Sequence, residues 1–442
     1  MKILLVQPKM NKRPMDTNLK TRMSPSFALL TLVNLTPDEH DVIIVNENIE
    51  RINFNCNVDL VGITVTLDVM PRAREIAAQF QKRGIPVVAG GIHITCDPND
   101  CEPYFDAICI GPAERVWTKI IRDVQNNHLQ KIYCDMKEFH GEEIISPVNK
   151  INNQYLITNA VLISRGCPNR CSFCYNSCEN RLYVRRPISD VIENIKSLGT
   201  RHIFFIDDNF IGDPPYTKEL LSELLDMNLV WQAAVTTKIL DYPDLLNLMV
   251  ATGCKSLFIG FESINTASLE SVNKDNTVAL YEELVEEIHS RGIMINASMV
   301  FGLDGDIKDT FKHTLDWLVK MRIETLTSHI LTPYPGTELH RQMEADGRIT
   351  NFNLDKYNTA HVVFQPKNMS ADELYKGYRQ MYKQFYSFKN IVRRFPKNKV
   401  QRKPYLLFNL FYRKFGWLTS IITFFIPMGI LAKLAAKISY KT

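Results

Sequence analysis

The stretch 160-AVLISRGCPNRCSFC-174 joins a short apolar run to three cysteines, Cys167, Cys171 and Cys174, within eight residues. The β-branched run predicts a strand, so the cysteines follow its carboxyl end. Three thiolates at this spacing can hold three irons of a [4Fe–4S] cluster and leave the fourth iron open, whereas a structural zinc site takes four protein ligands. Cys178 would complete a four-thiolate set, so a zinc or electron-transfer site stays open as an alternative.

Length and composition set the context for these cysteines. The 442 residues suffice for two or three domains, and 45% apolar residues suffice for packed cores. The start, MKILLVQPKM, runs directly into a strand-like segment, so we expect no secretory signal and a reducing, cytoplasmic compartment. Thiols in that compartment are more often metal ligands than disulfides.

Strand and helix patterns alternate on both sides of the cysteine stretch, which predicts an α/β protein. Downstream, five β-branched runs are each followed by a helical pattern, and with the first run they predict a partial (β/α)6 barrel: 202–207, 231–237, 256–262, 294–302 and 325–333. Upstream, five runs predict an N-terminal, doubly wound and mostly parallel sheet: 2–8, 41–47, 59–66, 85–91 and 106–111. Functional residues of both architectures lie at the carboxyl ends of the strands.

The chain divides into five predicted parts. They are an α/β domain (1–123), a linker with two short polar strands (124–158), the barrel (159–345), a helical extension (346–390) and a basic, apolar tail (391–442). No acidic residue follows Glu373, while residues 374–442 contain 15 Lys or Arg; the rest of the chain has 37 basic against 48 acidic residues. A block of one sign is typical of an interaction surface or a solvated tail.

The tail contains two apolar runs separated by Arg413 and Lys414. The second run, 415–432, has about the 18 residues that begin to indicate a membrane span, but Pro427 and Gly429 interrupt it. We therefore predict an interfacial or re-entrant segment at an anionic membrane surface, on its inner face. The alternative is a hydrophobic helix that packs on the barrel.

The string 167-CPNRCSFC-174, with Phe173 at its aromatic position, resembles the signature of radical S-adenosylmethionine (SAM) enzymes. The upstream domain is similar to the cobalamin-binding (B12) domain that is fused to many of them, in the branch of the hopanoid methylases and the anaerobic Mg-protoporphyrin ester cyclases. The likeness extends from residue 1 to about residue 385. It includes the segments 205-FIDDNFIG-212, 260-GFES-263, 299-MVFGLDGD-306, 332-TPYPGTEL-339 and 361-HVVFQPKNMSADEL-374.

The resemblance implies that the three cysteines bind a [4Fe–4S] cluster and that SAM chelates its open iron. An electron from a partner such as flavodoxin or ferredoxin would cleave SAM to methionine and a 5′-deoxyadenosyl radical. We expect an enzyme that uses this radical for cobalamin-dependent C-methylation of a lipid or other apolar metabolite. No nucleic-acid partner is expected, because tRNA methylthio-transferases carry a second group of three cysteines upstream, and the N-terminal cysteines here are not so grouped.

The resemblance also implies SAM-binding residues at the strand ends. Asp207, Asp208 and Asn209 follow the second barrel strand, where the family has acceptors for the SAM amine, but they would equally cap the next helix. Glu262 resembles a residue near the SAM ribose or amine, with a surface turn as the alternative.

Further candidates lie along the last two barrel strands and beyond. Ser298 would face either the pocket or the core. Gly302 would allow close approach of the backbone to adenine or would form a tight turn. His329 and His361 are candidates for substrate contacts, although a lone histidine is more often a packing residue.

Cobalamin is the least direct of the implied cofactors. The Asp-x-His-x-x-Gly loop of B12 domains is missing from the first 40 residues, so a lower histidine ligand is not predicted. Thr64, Thr66, Gly90 and Gly91 match positions that surround the nucleotide tail in the family. The alternatives are a cobalamin-independent radical SAM enzyme for rearrangement or cyclisation and, in another class, a membrane-docked iron–sulfur electron carrier.

Overall fold

A computed structural model describes residues 1–146, 154–178 and 182–439. Part of the predicted linker (147–153) and the basic end at Lys441 lie outside the described residues. The β-strands are β1 (Lys2–Gln7), β2 (Asp41–Asn46), β3 (Leu60–Thr64), β4 (Val87–Gly90), β5 (Ala107–Ile110), β6 (Ile132–Cys134), β7 (Ala160–Val161), β8 (Ser164–Arg165), β9 (Val184–Arg185), β10 (His202–Phe205), β11 (Val230–Val235), β12 (Cys254–Glu262), β13 (Met294–Phe301) and β14 (Thr325–Ile330).

The α-helices connect and cover these strands. They are α1 (Phe27–Leu35), α2 (Met70–Gln81), α3 (Ile92–Cys96), α4 (Pro98–Cys101), α5 (Trp117–Gln125), α6 (Ile188–Ser197), α7 (Pro214–Glu223), α8 (Pro243–Ala251), α9 (Thr266–Glu270), α10 (Tyr281–Ser290), α11 (Thr310–Lys320), α12 (Glu338–Ala345), α13 (Ala371–Phe385), α14 (Phe388–Arg393), α15 (Lys399–Leu406), α16 (Gly416–Phe425) and α17 (Met428–Ser439).

The N-terminal domain is a parallel sheet with the strand order β2-β1-β3-β4-β5-β6. Separate apolar clusters cover its two faces, which is why its strands contain nearly continuous apolar runs. The five predicted strands are present, but the prediction of five strands was wrong by one. The sixth strand, β6, comes from the predicted linker and pairs in parallel with β5; Tyr133 buries its side chain there.

The second domain has the six predicted strands in the order β14-β13-β12-β11-β10-β7, all parallel. Along β14 burial alternates, so Thr327 and His329 point to the inner side of the sheet while Ser328 faces α13. The outward side chains and the surrounding helices form the largest apolar core. This is the predicted partial barrel, with β7 and β14 at its edges.

An N-terminal segment, residues 9–23, which we call the strap, runs between these two edges. Near its start, Arg13 is 3.4 Å from Nδ1 of His329 on β14. At its end, the carbonyls of Arg22 and Met23 accept hydrogen bonds from residues 156 and 157, just before β7. The strap therefore closes the side of the barrel that six strands leave open.

The helical extension and the tail pack on the barrel and on the strap. Helix α13 lies against α11 and β14, a π-helix (Leu407–Lys414) follows α15, and α16 contacts the strap's 3-10 helix (Asn18–Arg22). None of the described helices is both long and apolar enough to cross a membrane. The tail nevertheless exposes Trp417 and Phe425, 63% and 83% accessible, while the Phe424 side chain lies outside what the structure describes.

Candidate active site

The loop that carries the cysteines begins directly after β8 and is held tightly at its base. Gly166 has φ of +86°, and a Cβ there would lie 1.8 Å from the carbonyl oxygen of Leu182. Only glycine fits both the backbone conformation and this contact. The cysteine loop and the segment that returns from it are therefore in direct backbone contact.

Cys167, Cys171 and Cys174 lie close enough together to affect one another electrostatically. Burial raises the pKa of all three thiols, that of Cys174 to about 12, and neighbouring thiols raise the pKa of Cys167 and Cys174 further. Cys178 is buried beside Tyr175. Three grouped thiols in one loop fit the donor set of a [4Fe–4S] cluster with one open iron.

Asp207 anchors the cysteine loop instead of facing outward for SAM. Its carboxylate accepts hydrogen bonds from the backbone N–H groups of Ile163 and Ser164 and from the Ser164 hydroxyl, at 2.7–3.1 Å. Burial raises the pKa of Asp207 to about 7, and these donors oppose the rise. Protein donors therefore occupy the Asp207 carboxylate, and the contact of this segment with the SAM amine stays a prediction.

Asp208 and Asn209 are the next two residues of this segment. Asp208 is exposed and raises the pKa of Cys167 and Cys174, so it lies beside the cysteine loop. Oδ1 of Asn209 is buried and has no hydrogen-bond donor in the described structure. The alternative, a cap for the next helix, is wrong, because Asp213 caps α7 by accepting from the N–H of Tyr216.

Glu262 belongs to a buried ion pair that the sequence did not reveal. Its Oε1 is 3.1 Å from Nζ of Lys274, and both side chains are about 90% buried. Burial lowers the pKa of Lys274, but Glu262, Cys171 and Cys174 outweigh burial and raise it overall. The Ser298 hydroxyl donates to Oε2 of Glu262 at 3.2 Å. Glu262 and Ser298 thus face the site, and a surface turn is excluded.

The backbone at Glu262 is unusual for a side chain of this type. Its φ is +63°, and the pairing of β12 with β13 shifts register between Gly260 and Glu262. A bulge with a non-glycine residue in the left-handed region costs free energy and is common at functional sites. The bulge directs the carboxylate towards Lys274 and the cysteine loop.

Two alternatives were predicted for Gly302: close approach of the backbone to adenine, or a tight turn. The structure shows the tight turn. Its N–H and that of Leu303 donate to Oδ2 of Asp306, and its φ is +94°. A Cβ at this position would lie 2.7 Å from Cδ2 of Leu374 on α13. The glycine therefore contacts the helical extension.

The two candidate histidines have different surroundings. His329 contacts the strap through Arg13, whose guanidinium is 3.4 Å from Nδ1 of His329. The same Nδ1 is 3.0 Å from Oγ1 of Thr359. His361 is 2.8 Å from Oδ1 of Asn358 and stacks on Tyr375, as a packing residue does.

The N-terminal domain contains a cavity of about 320 Å³ at the carboxyl ends of its strands. Thr64, Gly90 and Gly91 line it, whereas Thr66 is exposed and donates to Asp68. Gly91 has φ of +113°, and a Cβ there would lie 2.8 Å from the carbonyl oxygen of Val65. A cavity wall that consists of glycine backbone, without side chains, fits a flat nucleotide base.

Part of that cavity wall comes from the barrel. Leu162, Arg165 and Leu182, which flank the cysteine loop, line the cavity together with residues of the first domain. Arg165 also forms a salt bridge of 2.5 Å with Glu114, which follows β5. The two strand-end sites are therefore adjacent.

Comparison with known proteins agrees with this arrangement. Residues 161–318 match the family model of the radical SAM superfamily, and residues 30–121 match that of the B12 binding domain. The chain is a radical SAM enzyme with a B12 binding domain. Residues 337–433 match a domain of unknown function (DUF4070) that covers α12–α16 and part of α17.

Among curated relatives, the radical SAM enzyme is 29% identical over 408 residues to bacteriochlorophyllide d C-8(2)-methyltransferase of Chlorobaculum tepidum, covering 86% of this chain and 89% of that one. It is 25% identical to the hopanoid C-2 methylase of Rhodopseudomonas palustris, covering 74% and 66%. The solved cobalamin-dependent SAM radical enzyme OxsB, 14% identical, covers 100% of this chain and 77% of its own with a TM-score of 0.67, and so shares the fold.

These matches confirm the predicted family and cofactors. The enzyme belongs with the cobalamin-dependent radical SAM methyltransferases and uses a [4Fe–4S] cluster, SAM and cobalamin. Of the predicted site residues, the structure brings the three cysteines, Phe173, Asp208, Glu262 and Ser298 to one end of the barrel, and Thr64, Gly90 and Gly91 to the adjacent cavity.

Proposed function

We propose that the enzyme transfers a methyl group from cobalamin to a carbon of a lipid or other apolar metabolite. The observation that supports this most strongly is the shared wall, in which Leu162, Arg165 and Leu182 of the barrel line the cavity of the B12 binding domain. A methyl donor in one domain and a radical source in the other can then act on the same carbon. Relatives named for methylation of a bacteriochlorophyllide and a hopanoid support carbon as the acceptor.

When bound, the cofactors supply the reactive species: one-electron cleavage of SAM gives methionine and a radical that removes a hydrogen atom from the substrate, and the substrate carbon then receives the methyl group. The residues of this chain hold and shield these groups. The three cysteines would hold the cluster, Asp207 fixes the base of their loop, and the Glu262–Lys274 pair supplies fixed charges beside it. Tyr175 and Tyr334, stacked at 4.4 Å, would shield the site from water.

The decisive experiment is anaerobic reconstitution of the full chain with iron, sulfide and cobalamin, followed by reduction in the presence of SAM. We expect 5′-deoxyadenosine together with S-adenosylhomocysteine, because one SAM supplies the radical and a second remethylates cobalamin. Deoxyadenosine at the same rate without cobalamin would instead support rearrangement or cyclisation. No cleavage of SAM by an intact cluster would support an electron carrier.

We further propose two interaction partners. One is a reducing protein such as flavodoxin or ferredoxin, and the other is the inner face of a membrane that contains anionic lipids. Exposed apolar side chains on α16 and α17, among them Trp417, Ile421 and Phe425, support the membrane surface. Lys433 and Lys437 on α17 add positive charge next to them. Apolar burial and electrostatic attraction together give stable surface binding, whereas either alone is reversible.

A further inference from the structure

We infer that the strap and the tail, together with strand β14, form a pocket for an oxyanion, a carboxylate or phosphate group, that is carried by the substrate. The pocket consists of Arg13 and Lys20 of the strap, Arg413 of the π-helix, and His329 on β14. This inference rests on the proposed function, because it assumes that the substrate occupies the space inside the barrel.

The pocket is adjacent to the radical site. Tyr334 stacks on Tyr175, which directly follows Cys174. Burial raises the pKa of Tyr334, and the charged groups that act on it include Asp68, Arg13 and Cys174. Tyr334 therefore lies between the strap and the cysteine loop. A substrate held at Arg13 would extend towards the cysteines.

The cations of the pocket outnumber the anions. Arg13 is 3.2 Å from Asp16, whose side chain is 5% exposed, and this pair is internally neutral. Asp68 is a second carboxylate that interacts with Arg13, and Asp355 interacts in turn with Asp68. Lys20 and Arg413 have no ion pair or side-chain hydrogen bond in the described structure. Burial lowers the pKa of Lys20, and Arg13 and Arg413 lower it further.

The positive charges of Arg13 and Lys20 also act on His329. Burial lowers its pKa to about 3, and Arg13 and Lys20 lower it further, so the imidazole is neutral. His329, Lys20 and Arg413 each remain partly exposed, so they are not enclosed in a packed core. A neutral imidazole between cations can donate to an oxyanion without adding repulsion.

Arg413 lacks the partners that a structural arginine has. Its Nε, like that of Arg394, is inaccessible to solvent and has no acceptor among the described residues, but its other N–H groups also lack side-chain or backbone acceptors there. Aromatic rings surround the guanidinium: Tyr412 at 5.1 Å, Tyr386 at 5.3 Å, Phe408 at 5.4 Å and Tyr382 at 5.5 Å. Rings hold a cation in place but leave its N–H donors without acceptors.

Arg394, on the same face of the barrel, provides the contrast. It is fully buried, and it donates to the carbonyls of Ile323, Glu324 and Phe385 and to Oδ1 of Asn409 at 2.7–3.3 Å. Arg394 therefore has a structural role. Arg413 and Lys20 instead have no ion-pair contact among the described residues, and the carboxylate that acts on both, Asp16, is already paired with Arg13. An anionic ligand would therefore lower the cost of burying these two charges.

Two features define the class of ligand. The cluster of cations requires an oxyanion, since bidentate N–H donors of arginine match carboxylate and phosphate. The surrounding tyrosines and phenylalanines require an apolar body next to that group. The substrate class is therefore an amphipathic metabolite with one acidic end, bound with that end away from the reacting carbon.

The test measures anion binding by the reconstituted holoenzyme through its melting temperature. Hexanoate and inorganic phosphate are titrated separately, and chloride at equal ionic strength serves as the reference. We expect a saturable rise above chloride with at least one of the two probes, because a ligand bound only by the folded state stabilises it. A response to hexanoate but not phosphate identifies a carboxylate, and the reverse response identifies a phosphate.

Variants localise the response. Lys20→Met should reduce the apparent affinity at least tenfold and, without anion, should melt at or above the wild-type temperature, because it removes an unpaired cation. Arg413→Met should show the same loss of affinity. Lys414→Met, which removes the exposed neighbouring charge, should behave like the wild type.

The inference is overturned if neither probe gives a saturable rise, if Lys20→Met keeps the wild-type response, or if it melts below the wild type without anion. Arg413→Met removes a guanidinium that packs among aromatic rings. If that variant does not fold, Lys20→Met alone decides the test. No methyl transfer is involved, so anion binding without methylation would count against the proposed function alone.

Discussion

Cys167, Cys171 and Cys174 share one loop, while Cys178 is buried beside Tyr175. Three thiolates are the smallest set that leaves one iron of the cluster open for SAM. Replacement of any of the three by alanine should abolish iron binding and deoxyadenosine formation, measured by iron analysis and chromatography. Cys178→Ala should keep both, and loss of its cluster would instead support the four-thiolate alternative.

Lys274 is the residue on which we expect stability and activity to depend together. Lys274→Met leaves the buried Glu262 carboxylate unpaired, which should lower the free energy of unfolding by about 3 kcal/mol and impair SAM cleavage. Adding Glu262→Gln should restore stability but not cleavage, as denaturant titration and product analysis would show. Lys238→Met, at an exposed pair with Asp275, is the control and should cost less than about 1 kcal/mol.

The roles of Lys274 and Asp207 could not be predicted from the sequence. A single lysine in a polar loop has no periodicity that marks it as buried, and its partner is 12 residues away on another element. The strand-end position of Asp207 was visible, but its donors precede it by 43 and 44 residues. In contrast, the cysteine spacing is local and needed no tertiary information.

At the level of elements, the base of the cysteine loop depends on a backbone contact at Gly166. Gly166→Ala would place Cβ against the carbonyl of Leu182, so we expect a displaced loop and lower iron content after reconstitution. Gly199→Ala is the matched control: its φ is +59°, and a Cβ there meets nothing within 4 Å. Normal iron content in Gly166→Ala would show that the loop tolerates the shift.

The turn after β13 should make stability depend on pH. Burial raises the pKa of Asp306 from 3.8 to about 6, so the folded protein binds more protons than the unfolded chain between these values. Stability from this group is therefore present below pH 4 and falls by about 3 kcal/mol as the pH rises through 6. In Asp306→Asn this component should vanish, so the melting temperature of the wild type should fall relative to that of the variant between pH 4 and pH 7. A constant difference would contradict the shift.

The regular elements were predictable because their signals are local. All strands predicted from β-branched runs are present, with ends that differ by a few residues. Strand β6 was assigned to the linker because its three residues lie between polar ones and join the sheet only through β5. The β8–β9 pair was not predicted, since its two-residue strands form across the cysteine loop.

At the scale of the whole molecule, the strap connects the two domains. It starts at the sheet of the B12 binding domain, passes His329 and ends beside residues 156 and 157 before β7. Nδ2 of Asn11 reaches both the carbonyl of Asp68 and the carboxylate of Asp355. The barrel is thus closed by a segment of the other domain, which sequence alone could not show.

The tail exposes three large apolar side chains on its outer surface. Trp417, Ile421 and Phe425 are 63%, 47% and 83% exposed, so serine at all three positions should leave the packing of the tail intact. If each side chain contributes about 1.5 kcal/mol when buried in lipid, the triple variant should bind anionic liposomes roughly a thousandfold more weakly. Co-sedimentation measures this loss, and deoxyadenosine formation should be unchanged. Phe352→Ser, at a site 74% exposed, is the control. If wild type and triple variant sediment equally, the tail has no role at a membrane, and the lipid substrate loses its main physical support.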